Sequence, residues 1–281
     1  MNLQQKKDNS FLATEPLGRL LLKLSLPTVT AQVINMLYNI VDRIYIGHIP
    51  ETGALALTGV GVCMPLIMIV SAFAALVGNG GAPRASIFMG KGDKESAEQT
   101  LGNCFTTQIV VSLLLTLILF TGNKSFLMAF GASENTIPYA VAYMNIYSLG
   151  TIFVQLTLGM NAFITAQGFA KTSMLSVLVG AASNIILDPI FIFALHMGVR
   201  GAALATIVSQ ALSCTWVLHF LMGKKSYLKI HRCNMKLKKD IILPSLALGL
   251  STFIMQSSES IISVCFNSSL LKYGGDLAVG A

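Results

Sequence analysis

Three carboxylates lie deep inside apolar stretches of this chain: Asp42, Asp188 and Glu259. A charge near the centre of a membrane helix costs about 2.5–3.5 kcal/mol on insertion scales, so each requires a reason. Gln32, Asn35, Asn39 and Asp42 are spaced three, four and three apart, which places them on one stripe of a helix. Thr252, Gln256, Glu259 and Ser263 repeat the pattern near the C-terminal end. A stripe of amides alone would serve as helix–helix glue; with a carboxylate in each, a cavity or an ion path is the stronger reading. Asp42 and Arg43 are adjacent, and adjacent helical residues do not face each other, so a local ion pair does not account for the acid. Asn184 and Asp188 are four apart, and Pro189 follows at once. Proline withholds a backbone donor and frees a carbonyl one turn earlier. Carboxylate, carboxamide and freed carbonyl together make an oxygen-rich site for a hard cation or a proton. The plain structural alternative is an Asp that caps the kink beside it.

The elements that must position these residues are membrane helices. Of 281 residues, 54% are hydrophobic and 11% charged, against about 25% charged in a soluble domain. The apolar residues form blocks near the length of about 20 that a helix needs to cross a bilayer. Seven spans are expected, at Leu20–Ile46, Ala54–Val77, Leu101–Phe120, Ile137–Met160, Ser173–Leu195, Ala202–Met222 and Ile241–Leu271. With the N-terminus inside, 15 Lys and Arg fall on the cytoplasmic side and Arg43, Lys124, Arg200 and Lys272 on the other, the bias that sets orientation. The segment 223–240 holds seven of the 15; it reads as a loop that fixes topology, with contact to anionic lipid as the alternative. The first 16 residues are too polar for a signal-peptide core.

The seventh span opens a second copy of the first. LSLPTVTAQVINMLYNIVDRIYIGH (24–48) aligns without gaps to IILPSLALGLSTFIMQSSESIISVC (241–265), matching Pro27 to Pro244, Asn39 to Gln256 and Asp42 to Glu259. ETGALALTGVG (51–61) is echoed by KYGGDLAVGA (272–281). Six spans separate the copies, so both cross in the same direction, a parallel repeat of the kind on which transporters are built. The expected organisation is a six-helix N-terminal lobe (1–222), a basic cytoplasmic linker (223–240) and the start of a second lobe (241–281), comprising helix seven and the beginning of helix eight. On this reading the chain is part of a longer protein.

Several chemistries are excluded. The net charge of +7 is dispersed among loops rather than gathered on a nucleic-acid-binding face. No G-x-x-x-x-G-K-[ST] motif supplies an ATP motor, and neither HExxH nor GxSxG occurs. The five Cys and four His show no metal-ligand spacing, so neither an enzyme nor a metal or other cofactor is implied. The glycines of GNGGAP (78–83) and MGKGD (89–93) read as loop and helix-end glycines.

YNIVDRIYIGHIPETGALALTGVG (38–61), GNGGAPRASIFMGKGDKESAEQTLGN (78–103) and ASNIILDPIFIF (182–193) resemble the multidrug and toxic compound extrusion (MATE) family, in particular its bacterial DinF/MepA-like branch. The resemblance runs from about residue 17 to Ala281. It implies an all-α membrane protein of twelve helices in two six-helix lobes, around a cavity that opens alternately to either side. It implies a plasma-membrane antiporter in which Na⁺ or H⁺ uptake drives export of organic, often cationic, drugs, with no ATPase subunit. The family's coupling site maps onto Asp42, Asn184, Asp188 and Thr206, and Glu259 occupies a more variable acidic position. Gln32, Asn35, Asn39, Gln256 and Glu259 would line the substrate cavity. The rival activity on the same architecture is a lipid-linked oligosaccharide flippase, which should line its cavity with bases where this chain has acids. A membrane-embedded channel or enzyme is the more distant alternative.

Overall fold

The computed structural model describes residues 16–280, with side chains to residue 275. The polar N-terminal leader and its Lys6 and Lys7 lie outside the described residues, as do the side chains of the last part of the 272–281 echo. The described chain is helical: α1 (Leu17–Gly47), α2 (Gly53–Gly90), α3 (Lys94–Ala129), α4 (Ile137–Leu149), α5 (Thr151–Ala166), α6 (Ala170–Pro189), α7 (Val199–Met222) and α8 (Lys239–Gly280). Six of these are long and apolar enough to cross a membrane, and α4 with α5 makes a seventh, bent span. This is a multi-pass membrane protein. Large apolar side chains such as Leu26, Met36, Leu117 and Phe266 point outward, as they can where lipid replaces water as the solvent.

Two expectations about the helices need correction. The span at Ile137–Met160 is not one rod: α4 and α5 meet at Gly150 with a bend of 58°. A Cβ there would collide with the Ile207 side chain, so glycine allows α7 to press against the corner. The GNGGAP glycines are not in a loop either; they lie inside α2. A Cβ on Gly78 would strike the backbone of Gly159, and one on Gly80 the backbone carbonyl of Ser245. They are points of close helix crossing, as small residues are in membrane bundles. Helices α2 and α3 also run well past their apolar blocks. In MGKGD, Gly92 takes the left-handed conformation (φ 76°) and Asp93 caps α3, accepting from Ser96 N at 3.0 Å.

Helix α6 ends at Pro189, and the next five residues, Ile190–Ala194, form a π-helical turn, the local adjustment expected where proline withholds its donor. Helix α8 is interrupted at Gly275 (φ 70°, ψ −169°). The bundle holds two buried apolar clusters, one around Ile46, Val60, Tyr143, Met144 and Ile192, the other around Val77, Leu101, Phe163, Leu221 and Leu228. Helix α1 packs chiefly on α6, and α8 on α2.

The 223–240 segment is firmly pinned. Gln167 Oε1 accepts from Leu228 N (2.9 Å) and Ser226 Oγ (3.0 Å), and Leu228 is fully buried. Asn103 donates to Asn234 O and accepts from Lys238 N, while Thr106 donates to Met235 O. Arg84 then holds the start of α8 by donating to Ile241 O at 2.6 Å.

Candidate functional site

The upper half of α1 turns its polar stripe toward α6. There the Asp42 and Asp188 carboxyls lie in side-chain hydrogen-bonding contact. Ionised carboxylates only accept hydrogen bonds, so this contact is a bond only when one of the two carries a proton. Asp188 is 0% exposed and Asn184 2%; Asn184 Nδ2 donates to Asp188 Oδ1 at 3.2 Å, one helical turn apart. Neither Asp42 Oδ1 nor Asp188 Oδ2 receives a hydrogen bond from a neighbouring donor. A buried polar oxygen left so costs free energy unless a proton, an ion or water attends it.

Thr206 of α7 shares a hydrogen bond with the Tyr143 hydroxyl of α4, and Tyr38 of α1 is hydrogen-bonded to Asn39. Tyr38, Asn184 and Thr206 all line one cavity between α1, α5, α6 and α7. It offers about 50 Å³ to the centres of water-sized particles, room for a few waters and far less than a drug-sized pocket needs. The structure thus joins Asp42, Asp188 and Asn184 by direct contact and sets Thr206 on the wall of the adjoining cavity.

The remaining sequence candidates do not share one site. Gln32 is exposed, and Asn35, also exposed, stands at the cavity rim. Asn39 is half-buried and donates to Asn35 O at 2.7 Å. Gln256 and Glu259 sit on α8, which packs on α2 rather than α1. Glu259 is exposed, and Gln256 is partly buried with an unpartnered Oε1.

Sequence reasoning passed over Tyr38, Tyr143, Thr157, Asn161, Ser209, Gln210 and Ser213. Tyr38 was legible in principle, standing one turn before Asp42 on its stripe. Thr206, Ser209 or Gln210, and Ser213 also recur at helical spacing, but hydroxyls scattered in apolar helices read as packing groups. Only the facing helices show that they border a hollow.

The family profile MatE matches residues 27–190. The multidrug export protein MepA of Staphylococcus haemolyticus is 27% identical over 250 residues, 89% of this chain and 55% of that protein. MepA of Staphylococcus aureus is 22% identical over 264 residues, 94% of this chain and 58% of that protein. Among solved structures, the MATE multidrug transporter DinF-BH, solved in complex with a drug, superposes with a TM-score of 0.90 at 36% identity, covering 95% of this chain and 59% of that one. An inward-facing MATE family transporter of the MOP superfamily gives a TM-score of 0.81 at 26% identity, covering 90% and 59%. The chain spans somewhat over half the length of these relatives.

Proposed function

Since the chain belongs to the MatE family, we propose that it supplies the first helical lobe of a cation-coupled multidrug antiporter of the plasma membrane, with residues 241–281 opening the second lobe. The observation that carries this reading is the contact between the Asp42 and Asp188 carboxyls inside the lobe. Two acids in contact in a poorly solvated place cannot both stay ionised cheaply. They hold a proton, or they ionise together around a cation with Asn184 and Thr206 beside them. Either event changes how α1 and α6 fit, since Asp42 belongs to one helix and Asp188 to the other.

Coupling then follows from competition. Ion or proton uptake at the pair favours one arrangement of α1, drug binding favours another, and each can shift the equilibrium only by its difference in affinity for the two. The drug-bound relative and the two export proteins support organic drugs as the exported class. The 15-to-4 split of basic residues supports a cytoplasmic N-terminus.

The test is ion-gradient-driven export of a cationic fluorescent dye by the protein in liposomes. Asp42→Asn and Asp188→Asn should each lower coupled export by on the order of a hundredfold, the scale of a lost proton-transfer group. Insertion should persist, because an amide is cheaper to bury than a carboxylate. Export at the parent rate in either variant removes the pair from the mechanism. A cavity that takes a pyrophosphate-linked lipid in preference to the dye would favour the flippase instead.

A further inference from the structure

Below the acid pair the lobe is hollow, and the polar atoms around the hollow lack partners. Three hydrogen bonds fix the register of its walls. Ser213 Oγ donates to Ser176 O at 2.7 Å, tying α7 to α6. Thr157 Oγ1 donates to Gln210 O at 3.3 Å, tying α5 to α7, and Asn161 Nδ2 donates to Ser173 O at 3.4 Å, tying α5 to α6. Helices α6 and α7 run antiparallel, so Asn184 lies near the level of Thr206, and Ser176 opposite Ser213. Descending from Asp188 toward the Lys171 end of α6, the polar groups therefore come in tiers: Asn184 with Thr206, then Ser209 and Gln210, then Asn161 with Ser213. At a rise of 1.5 Å per residue, Thr206 to Ser213 spans about 10 Å.

Each tier presents a buried oxygen without a hydrogen bond: Asn184 Oδ1, then Ser209 Oγ and Gln210 Oε1, then Asn161 Oδ1. All four residues line the cavity, and Ser209 is 3% exposed. Packing alone does not leave four such atoms facing one space, since each would cost the desolvation of a polar group. Bound waters making two to four hydrogen bonds apiece satisfy them within the room available. The lining is neutral throughout these tiers. A metal ion passing this way would have to shed water with no charge to meet it, whereas a proton needs only a continuous file of hydrogen bonds.

Resting on the acid pair as the coupling site, we propose that Asn161, Asn184, Ser209 and Gln210 hold a file of waters that carries the coupling proton between Asp188 and the Lys171 end of the lobe. In the releasing step the protonated carboxyl of the pair gives its proton to the first water. The file passes one proton along, each water breaking one O–H bond as it forms another, and the last water delivers a proton to solvent. The pair is left deprotonated and the waters unchanged in number. These four side chains act on the waters and not on the drug; they are positioning residues.

The experiment uses the protein in liposomes that enclose a pH-sensitive dye, with the protonated carboxyl of the pair followed by its infrared band. Ser209→Val/Gln210→Leu fills the middle tier with apolar groups. Its carboxyl band and its affinity for a cationic dye should match the parent, while proton release slows by about tenfold. Ser209→Ala keeps room for a water and should slow release by less than about threefold; it also stands as the test should the double variant not fold. Release at the parent rate in the double variant overturns the file, and so does a loss of dye affinity equal to the loss of rate. A parent protein driven by a Na⁺ gradient with no proton release overturns it as well. Asp188→Asn separates the two proposals. If that variant still releases protons normally, the acid pair is not the coupling site; if it is silent and the double variant is normal, only the file falls.

Discussion

Asp42 and Glu259 hold matched positions in two helices that align as copies, yet their surroundings differ. Asp42 faces α6 and touches Asp188. Glu259 is exposed, while its neighbour Ser260 is buried and donates to Pro65 O of α2 at 2.9 Å. Helix α8 is pressed so closely on α2 that a Cβ on Gly249 would collide with Leu76 O. Where α1 has a carboxylate-bearing neighbour, α8 has a backbone-to-backbone contact. The same polar stripe therefore makes a titratable pair in one copy and a lone surface acid in the other. What an acid does in a membrane helix depends on the face that the next helix offers it.

The largest effect should come from neutralising the two acids in parallel. Asp42→Asn should cost on the order of a hundredfold in coupled export, and Glu259→Gln less than about threefold, read in the same liposome assay. A larger loss from Glu259→Gln would break the comparison outright.

Gly80→Val tests the other half of it. Its new Cβ would run into the Ser245 carbonyl and Gly249 N, backbone atoms that cannot swing aside. Overpacking of this kind costs about 1–3 kcal/mol. The detergent-solubilised protein should unfold at lower temperature, with the infrared carboxyl band of the Asp42–Asp188 pair unchanged. A shifted band would mean that the α2–α8 contact reaches the acid pair after all.

Gln167→Leu addresses the lead into α8. It strands the buried Leu228 N–H and takes a partner from Ser226, a loss of about 1–3 kcal/mol. Protease cutting within 223–240 should rise, with dye export lowered less than by Asp42→Asn.

The smallest effect belongs to Asp93→Ala at the cap of α3. The hydrogen bonds from Ser96 hold the Asp93 carboxyl below its ordinary range. With the folded value lowered, the cap contributes fully above the ordinary aspartate range and fades as pH falls through the lowered value. Amide exchange over the first turn of α3 should therefore quicken in the parent only under strong acid, and at neutral pH in the variant. Equal exchange in both at neutral pH would show that the cap contributes nothing.

Much of this was legible without coordinates. Asn184, Asp188 and Pro189 announce a site because a charge, an amide and a missing donor coincide within a few residues, and the cost of burying a charge is local. The mid-helix glycines were misread for the complementary reason. Glycine signals either a loop or a close crossing, and only the neighbour, Gly159 for Gly78 or Ser245 for Gly80, tells which. The bend at Gly150 was hidden because both of its arms are apolar, so hydropathy runs through the corner without a break.

By itself, then, the sequence determined that this chain crosses a membrane several times, that carboxylates stand inside it, and that α1 and α8 are copies. These follow from solvation and from the helical repeat, which act along the chain. Tertiary structure alone decided that Asp42 meets Asp188 while Glu259 meets no acid, and that Asn161, Ser209 and Gln210 face one hollow. Those outcomes depend on which helix packs on which, and at what register. Backbone contacts such as that of Gly249 with Leu76 set these relations, and no spacing within a single helix encodes them.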